Sequence, residues 1–266
     1  MQNKHGDFVW YELLTPDANA AQAFYGPMLG WEFVDSQMPD ISYHLVSAAD
    51  VDGNGRHEVA GVMTLTPEMV EGGARPVWLG YIAVDNVDET VASMQASGGQ
   101  LLMPAQDIPG VGRMAMVGDP DGVPFYVMTA ASDTPSFAFA ADKPRPGHCA
   151  WNELCAGNQA GAWDFYGKHF GWKKDGEMDM GDMGTYDFIR HGGMIGAIMQ
   201  KSPDMPMPSW SYYFRVVDID VAVKHVKAAG GQLMHGPEEI PGGEYVIVGA
   251  DPQGAVFCLI GVRNAA

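Results

Sequence analysis

The alternation of apolar and polar positions predicts short strands interrupted by helices. FVWYELLT alternates as a strand, with Trp10 and Glu12 on one face and Val9 and Tyr11 on the other. TPDANAAQAFYGPMLGW follows as a helix, with Thr15 as the expected cap and Pro16 at its first position. SYHLVSA and AGVMTLT read as further strands, and VWLGYIAV begins a second series. NVDETVASMQASGG carries the apolar stripe Val87, Val91 and Met94 of a second helix, which stops at Gly98. GRMAMVGDPDGVPFYVMT closes the series as two strands that turn at Asp119-Pro120.

The whole pattern then recurs. WYEL at Trp10–Leu13 returns as WNEL at Trp151–Leu154, FYG at Phe24–Gly26 returns at Phe165–Gly167, and Gly30-Trp31 returns as Gly171-Trp172, all 141 positions apart. Trp78 and Trp210, Gly98-Gly99-Gln100 and Gly230-Gly231-Gln232, and Asp119-Pro120 and Asp251-Pro252 are 132 apart. The first copy therefore holds nine extra residues, many of them in the polar stretch VDGNGRHE. TYDFIRH and MIGAIMQ are the second copy's middle strands, and Gly157-Asn158 opens its first helix. DTPSFAFAADKPRPG, Pro-rich and without periodicity, reads as a linker. The expected organisation is a first domain at 1–132, a linker at 133–147 and a second domain at 148–266, each domain made of two strand–helix–strands units.

Composition narrows the partners. With 15 basic and 33 acidic side chains, the net charge is −18 at pH 7, which repels phosphate backbones and anionic membrane surfaces. No apolar stretch is long enough for a membrane span, and MQNKHGDFVWYEL lacks the charged start and apolar run of a secretory signal. Three cysteines, Cys149, Cys155 and Cys258, fit free thiols in a reducing cytoplasm better than a disulfide framework. A cytoplasmic monomer or homodimer with a small-molecule ligand, and with neither nucleic acid nor membrane as partner, is expected.

The β-α-β-β-β units, FYxxxLGW in the first helix, VDNVDE before the second and the DPDG and DPQG hairpins together resemble the vicinal oxygen chelate superfamily. That superfamily holds glyoxalase I, extradiol dioxygenases, fosfomycin resistance enzymes and bleomycin-binding proteins. The chain is most similar to its tandem glyoxalase-like members, whose first strand reads WxEL. The resemblance implies an α+β fold: two tandem domains, each of two β-α-β-β-β units forming a curved sheet around a cavity. It also implies where metal ligands would stand. Those places hold Trp10, Leu79 and Tyr126 in the first copy and Trp151, Tyr212 and Cys258 in the second. AGVMTL and IGAIMQ, the remaining ligand strands, offer no carboxylate or imidazole. Indole and leucine supply no donor to a divalent ion, so neither a metal nor another cofactor is expected.

Glu12 and Glu153 are the candidate catalytic residues, each two positions after a cavity-facing Trp. A carboxylate facing an apolar cavity suits a general base, or else a framework role with a buried partner. Trp10, Trp78, Tyr126, Trp151, Trp210, Tyr212 and Cys258 are the candidate ligand-binding residues, an aromatic wall for a flat organic molecule. One expected function is binding or metal-independent lyase- or isomerase-type conversion of a small carbonyl or aromatic metabolite. The alternatives are non-catalytic sequestration, and a metal enzyme, lyase or dioxygenase, with unorthodox ligands among Glu12, Glu153, His44 and Cys258.

Overall fold

A computed structural model of the chain describes residues 3–264 apart from 39–40, 54 and 141. In the first copy the elements run β1 (Phe8–Thr15), α1 (Ala18–Leu29), β2 (Glu32–Asp35), β3 (Tyr43–Ala49), β4 (Arg56–Thr64) and a short α2 (Pro67–Glu71). They continue as β5 (Val77–Ala83), α3 (Val87–Ala96), β6 (Gln100–Ile108), β7 (Gly112–Gly118) and β8 (Pro124–Ala130). The second copy holds β9 (Cys149–Ala156), α4 (Gln159–Phe170), β10 (Lys173–Asp179), β11 (Thr185–His191) and β12 (Gly193–Gln200). It ends with β13 (Ser209–Arg215), α5 (Ile219–Ala228), β14 (Gln232–Glu239), β15 (Tyr245–Ala250) and β16 (Val256–Gly261). Each copy forms one curved, mixed eight-stranded sheet, in the orders β2-β3-β4-β1-β5-β8-β7-β6 and β10-β11-β12-β9-β13-β16-β15-β14. The fold is α+β and tandem, as the repeat implies.

Asp17, not Thr15, caps α1: its carboxylate accepts from the Ala20 amide. Thr15 stays in β1, paired with Thr64 and fully buried, and so is withdrawn from the helix. Asn158 caps α4 in the same way, accepting from the Gly161 amide.

Packing groups the units across the copies. One compact body comprises 1–9, 79–136 and 151–211, and the other 10–78, 137–150 and 212–266. The repeated motifs are what bind each body together. In the second body Trp78 Nε1 donates to Tyr25 Oη at 3.2 Å, and Tyr25 donates to Asp251 Oδ2 at 3.0 Å. In the first, Trp210 Nε1 donates to Tyr166 Oη at 3.1 Å, and Tyr166 donates to Asp119 Oδ2 at 3.1 Å. Burial pushes both carboxyls above their ordinary range, and burial with the facing Asp251 pushes Tyr25 well up too. Three polar groups in each of these hydrogen-bond chains thus bond one another, and the carboxylate also bonds the Asp-Pro turn.

The other motifs interlock similarly. Trp31 donates to the Gly147 carbonyl at 2.6 Å and Trp172 to the Gly6 carbonyl at 2.9 Å, again 141 residues apart. Gly231 leaves room for the Phe24 ring, where a Cβ would stand 2.7 Å from it, and Gly99 does so for Phe165 at 3.2 Å. FYG, LGW, GGQ and DPxG are therefore packing devices.

Most of the segment expected as a linker, from Phe137 on, is tied down in the second body. Arg145 forms ion pairs with Asp50 and Asp142, both at 2.8 Å, and Lys143 pairs with Asp52 at 2.6 Å. His57 packs on Phe137 at 4.3 Å between ring centres. Asp52 and His57 belong to the polar stretch that lengthens the first copy, and Asp50 directly precedes it.

Candidate functional site: two tryptophan–tyrosine–glutamate clusters

In β9, alternation puts Trp151, Glu153 and Cys155 on one face and Asn152 and Leu154 on the other. The β11 strand supplies Tyr186 to the first of these faces. Trp151 Nε1 donates to Tyr186 Oη at 2.7 Å, and Tyr186 donates to Glu153 Oε2 at 2.7 Å. Cys155 points its Sγ at Glu153 Oε1, 3.9 Å away. Trp151, Glu153 and Tyr186 are half-buried, so a solute can reach them, whereas Cys155 is buried. Burial first, then the Glu153 charge, pushes the Cys155 thiol up to about 12 and raises the Tyr186 phenol further above its ordinary value. Both groups stay protonated donors at neutral pH, arranged about one carboxylate.

The first copy repeats the arrangement on β1 and β3. Trp10 Nε1 donates to Tyr43 Oη at 3.0 Å. Glu12 lies two residues along β1 and opposite Gly61 of β4. Trp10 and Tyr43 are half-buried, but Glu12 is only 3% exposed. Tyr43 and Tyr186 were not among the residues expected from sequence. Their signal was present: both are the second residue of a matched strand, SYHL and TYDF.

The other expected residues sit elsewhere. Trp78 packs on Phe214 at 4.9 Å, and Phe214 also packs on Tyr11 at 5.6 Å. Trp78 therefore shares the side of Tyr11, opposite Trp10 and Glu12, with its N–H committed to Tyr25. Tyr212 packs edge-on against Tyr11 at 5.1 Å and is 2% exposed. Trp210 lies among Tyr166, Trp172 and Phe8. Tyr126 stacks on Tyr81, 4.2 Å between rings at 15°, and Cys258 is buried in β16 in register with Tyr213. A cleft of about 510 Å³ lies by Asp85, Asp107 and Arg113, and another of about 360 Å³ by Asp119, Asn158 and Lys168. Neither is lined by Glu12 or Glu153.

The donor set does not fit a divalent ion. Among the described residues no three His, Cys, Asp or Glu side chains come together as a metal site. At the positions where relatives' ligands are expected, Trp10 and Trp151 hold indoles, and Tyr126 is a stacked phenol.

A model of the glyoxalase/bleomycin resistance protein/dioxygenase superfamily matches residues 7–127 and again 145–259. The chain belongs to this superfamily. It is 34% identical over 254 residues to a Mycobacterium tuberculosis (strain CDC 1551 / Oshkosh) protein named "Putative glyoxylase CFP32", covering 94% of this chain and 93% of that one. It is 27% identical over 263 residues to the anthracycline biosynthesis protein DnrV of Streptomyces peucetius, covering 96% and 93%. The Mn(II)-bound glyoxalase of Novosphingobium aromaticivorans superposes with a TM-score of 0.63 at 20% identity, over 99% of this chain and 83% of that one. At that identity the likeness establishes the fold alone. No helix among the described residues is long and apolar enough to cross a membrane.

Proposed function

We propose that this glyoxalase-like protein binds a planar carbonyl compound and moves a proton on it without a metal, as an isomerase or lyase does. The observation that carries this reading is the Trp151–Tyr186–Glu153 chain, with a phenol 2.7 Å from both the indole and the carboxylate. Trp151 offers a half-exposed ring for stacking. Glu153 takes the proton from the carbon beside the carbonyl, and the Tyr186 O–H turns to the carbonyl oxygen as it gains charge. Where that carbon also adjoins a carbon–carbon double bond, returning the proton to the far end of that bond completes an isomerisation with no other reactant. The kinship with an anthracycline biosynthesis protein favours a ring-fused ketone or quinone as the substrate class. The three cysteines are buried and outside any disulfide, which supports the cytoplasmic setting expected from the sequence.

The second reading is sequestration without turnover. It draws on the fact that Glu153 is already hydrogen-bonded by Tyr186, as a framework carboxylate would be. Glu153→Gln separates the two. Proton transfer predicts that substrate α-hydrogen exchange in D2O falls about 10²–10⁴-fold while binding, read by tryptophan quenching, persists. A framework role predicts a lower melting temperature with affinity little changed. A panel of aromatic and dicarbonyl compounds that neither quench fluorescence nor exchange their protons would refute both.

A further inference from the structure

The two clusters differ at one backbone position. Parallel pairing sets Gly61 opposite Glu12 and Ala197 opposite Glu153. Antiparallel pairing sets Tyr43 opposite Met63 and Tyr186 opposite Met199, two residues further along each strand. Gly61 and Ala197 are therefore equivalent places, diagonal to the tyrosine. In the first copy the Tyr43 ring lies in the space over Gly61, so that a methyl there would overlap its hydroxyl and ring carbon. In the second, Ala197 carries a methyl at the equivalent place, so the Tyr186 ring cannot lie where the Tyr43 ring does. The carboxylates follow: Glu12 is 3% exposed and Glu153 is half-buried.

We propose that only the second copy's cluster takes the ligand, and that Gly61 closes the first by letting Tyr43 fold down over Glu12's strand pair. The assignment rests on the proposed small-molecule function and says which carboxylate serves it. The first cluster is a closed site, its carboxylate buried where the second copy's is reachable. Gly61 acts through Tyr43, so it is a positioning residue. The backbone at Gly61 is not left-handed, and the obstacle to a side chain is the far end of a mobile ring. A methyl at this position should therefore displace Tyr43 without breaking β4.

Two measurements on the full chain test this. Carbodiimide coupling of carboxylates to glycine ethyl ester, read by peptide mass spectrometry, needs no ligand. Glu153 should label several-fold faster than Glu12, and Gly61→Ala or Tyr43→Ala should bring Glu12 up to it. Equal labelling in the wild type, or no change in either variant, overturns the inference. Calorimetric titration with 9,10-phenanthrenequinone, a planar dicarbonyl probe, should then give one equivalent per chain and two in Gly61→Ala. Trp151→Ala should weaken the wild-type equivalent about tenfold, roughly 1.4 kcal/mol. Undiminished binding in Trp151→Ala overturns the assignment to the second copy. Unequal labelling with no quinone or related dicarbonyl bound by any variant instead refutes the small-molecule function, and the ligand assignment falls with it.

Discussion

In the first copy Tyr43 lies over Gly61, Glu12 is nearly covered, and the β3–β4 hairpin is long enough to grip the segment between the copies through Asp50, Asp52 and His57. In the second copy Ala197 stands where Gly61 does, Glu153 is reachable, and β11 turns into β12 within a residue, His191 pairing with Gly193. The packing residues show no such divergence. Tyr25 and Tyr166, Trp31 and Trp172, Phe24 and Phe165 occupy the same roles with hydrogen bonds that differ by a few tenths of an ångström. Duplicated framework is held in place because each motif packs on an element from the other copy. Beside the glutamates the paired strand carries Gly61 in one copy and Ala197 in the other, and there the copies have separated.

The sharpest way to break this comparison is at Gly147 and Gly6. Both have left-handed backbone, φ +79° and +94°. A methyl would stand 2.8 Å from the Leu29 carbonyl and Ala48 at Gly147, and 2.5 Å from the Phe170 carbonyl at Gly6. Backbone strain and overpacking together make each Gly→Ala change cost about 3 kcal/mol or more. Urea unfolding should show both losses, similar in size. A mild Gly147→Ala beside a severe Gly6→Ala would mean that the interlock is lopsided.

A smaller effect is expected where only a hydroxyl is lost. Tyr25→Phe strands the Trp78 N–H and an Asp251 oxygen, and Tyr166→Phe does the same to Trp210 and Asp119. Each should cost about 1–3 kcal/mol, a fall in Tm of about 2–4 °C per kcal/mol for a chain of this size. Thermal unfolding that separates the two variants by more than their own size would contradict the shared framework.

The interlock was half-legible. The offsets of 141 and 132 located FYG, LGW, GGQ and DPxG, but a periodic pattern shows which residues repeat and not what they touch. Trp78 and Trp210 looked like a ligand wall because an aromatic in a strand can face either way. Tyr212 carries the clearest lesson. It was paired with Leu79, 133 residues away, although that part of the chain repeats at 132. One residue of slip in a strand reverses the face, and Tyr212 accordingly packs on Tyr11. Glu12 and Glu153 were legible from alternation next to Trp. Tyr43 and Tyr186 were not singled out, because their role appears only once β3 and β11 are laid beside β4 and β12. The β10 strand, KKDGEMD, has no apolar alternation to reveal it.

The smallest effect separates α1 from α4 by pH. His169 of α4 corresponds to Met28 of α1 at the 141 offset. Its ring is buried against Phe165, with Ser93 3.4 Å from Nδ1. Burial first, then the Lys168 and His5 charges, pushes its pKa down to about 4. Between the ordinary value of 6.5 and about 4, the unfolded chain binds a proton at this site that the folded chain refuses. Stability from His169 is therefore present above pH 6.5 and is lost as pH falls toward 4. His169→Met, which copies the first repeat, removes the proton altogether. Urea midpoints at pH 7.5 and pH 5 should fall further apart in the wild type than in this variant. His148, also pushed down by burial, keeps part of the slope in both proteins. An unchanged difference between the two midpoints in His169→Met would show that α4 titrates no differently from α1, and that the copies' divergence stops at the strand faces.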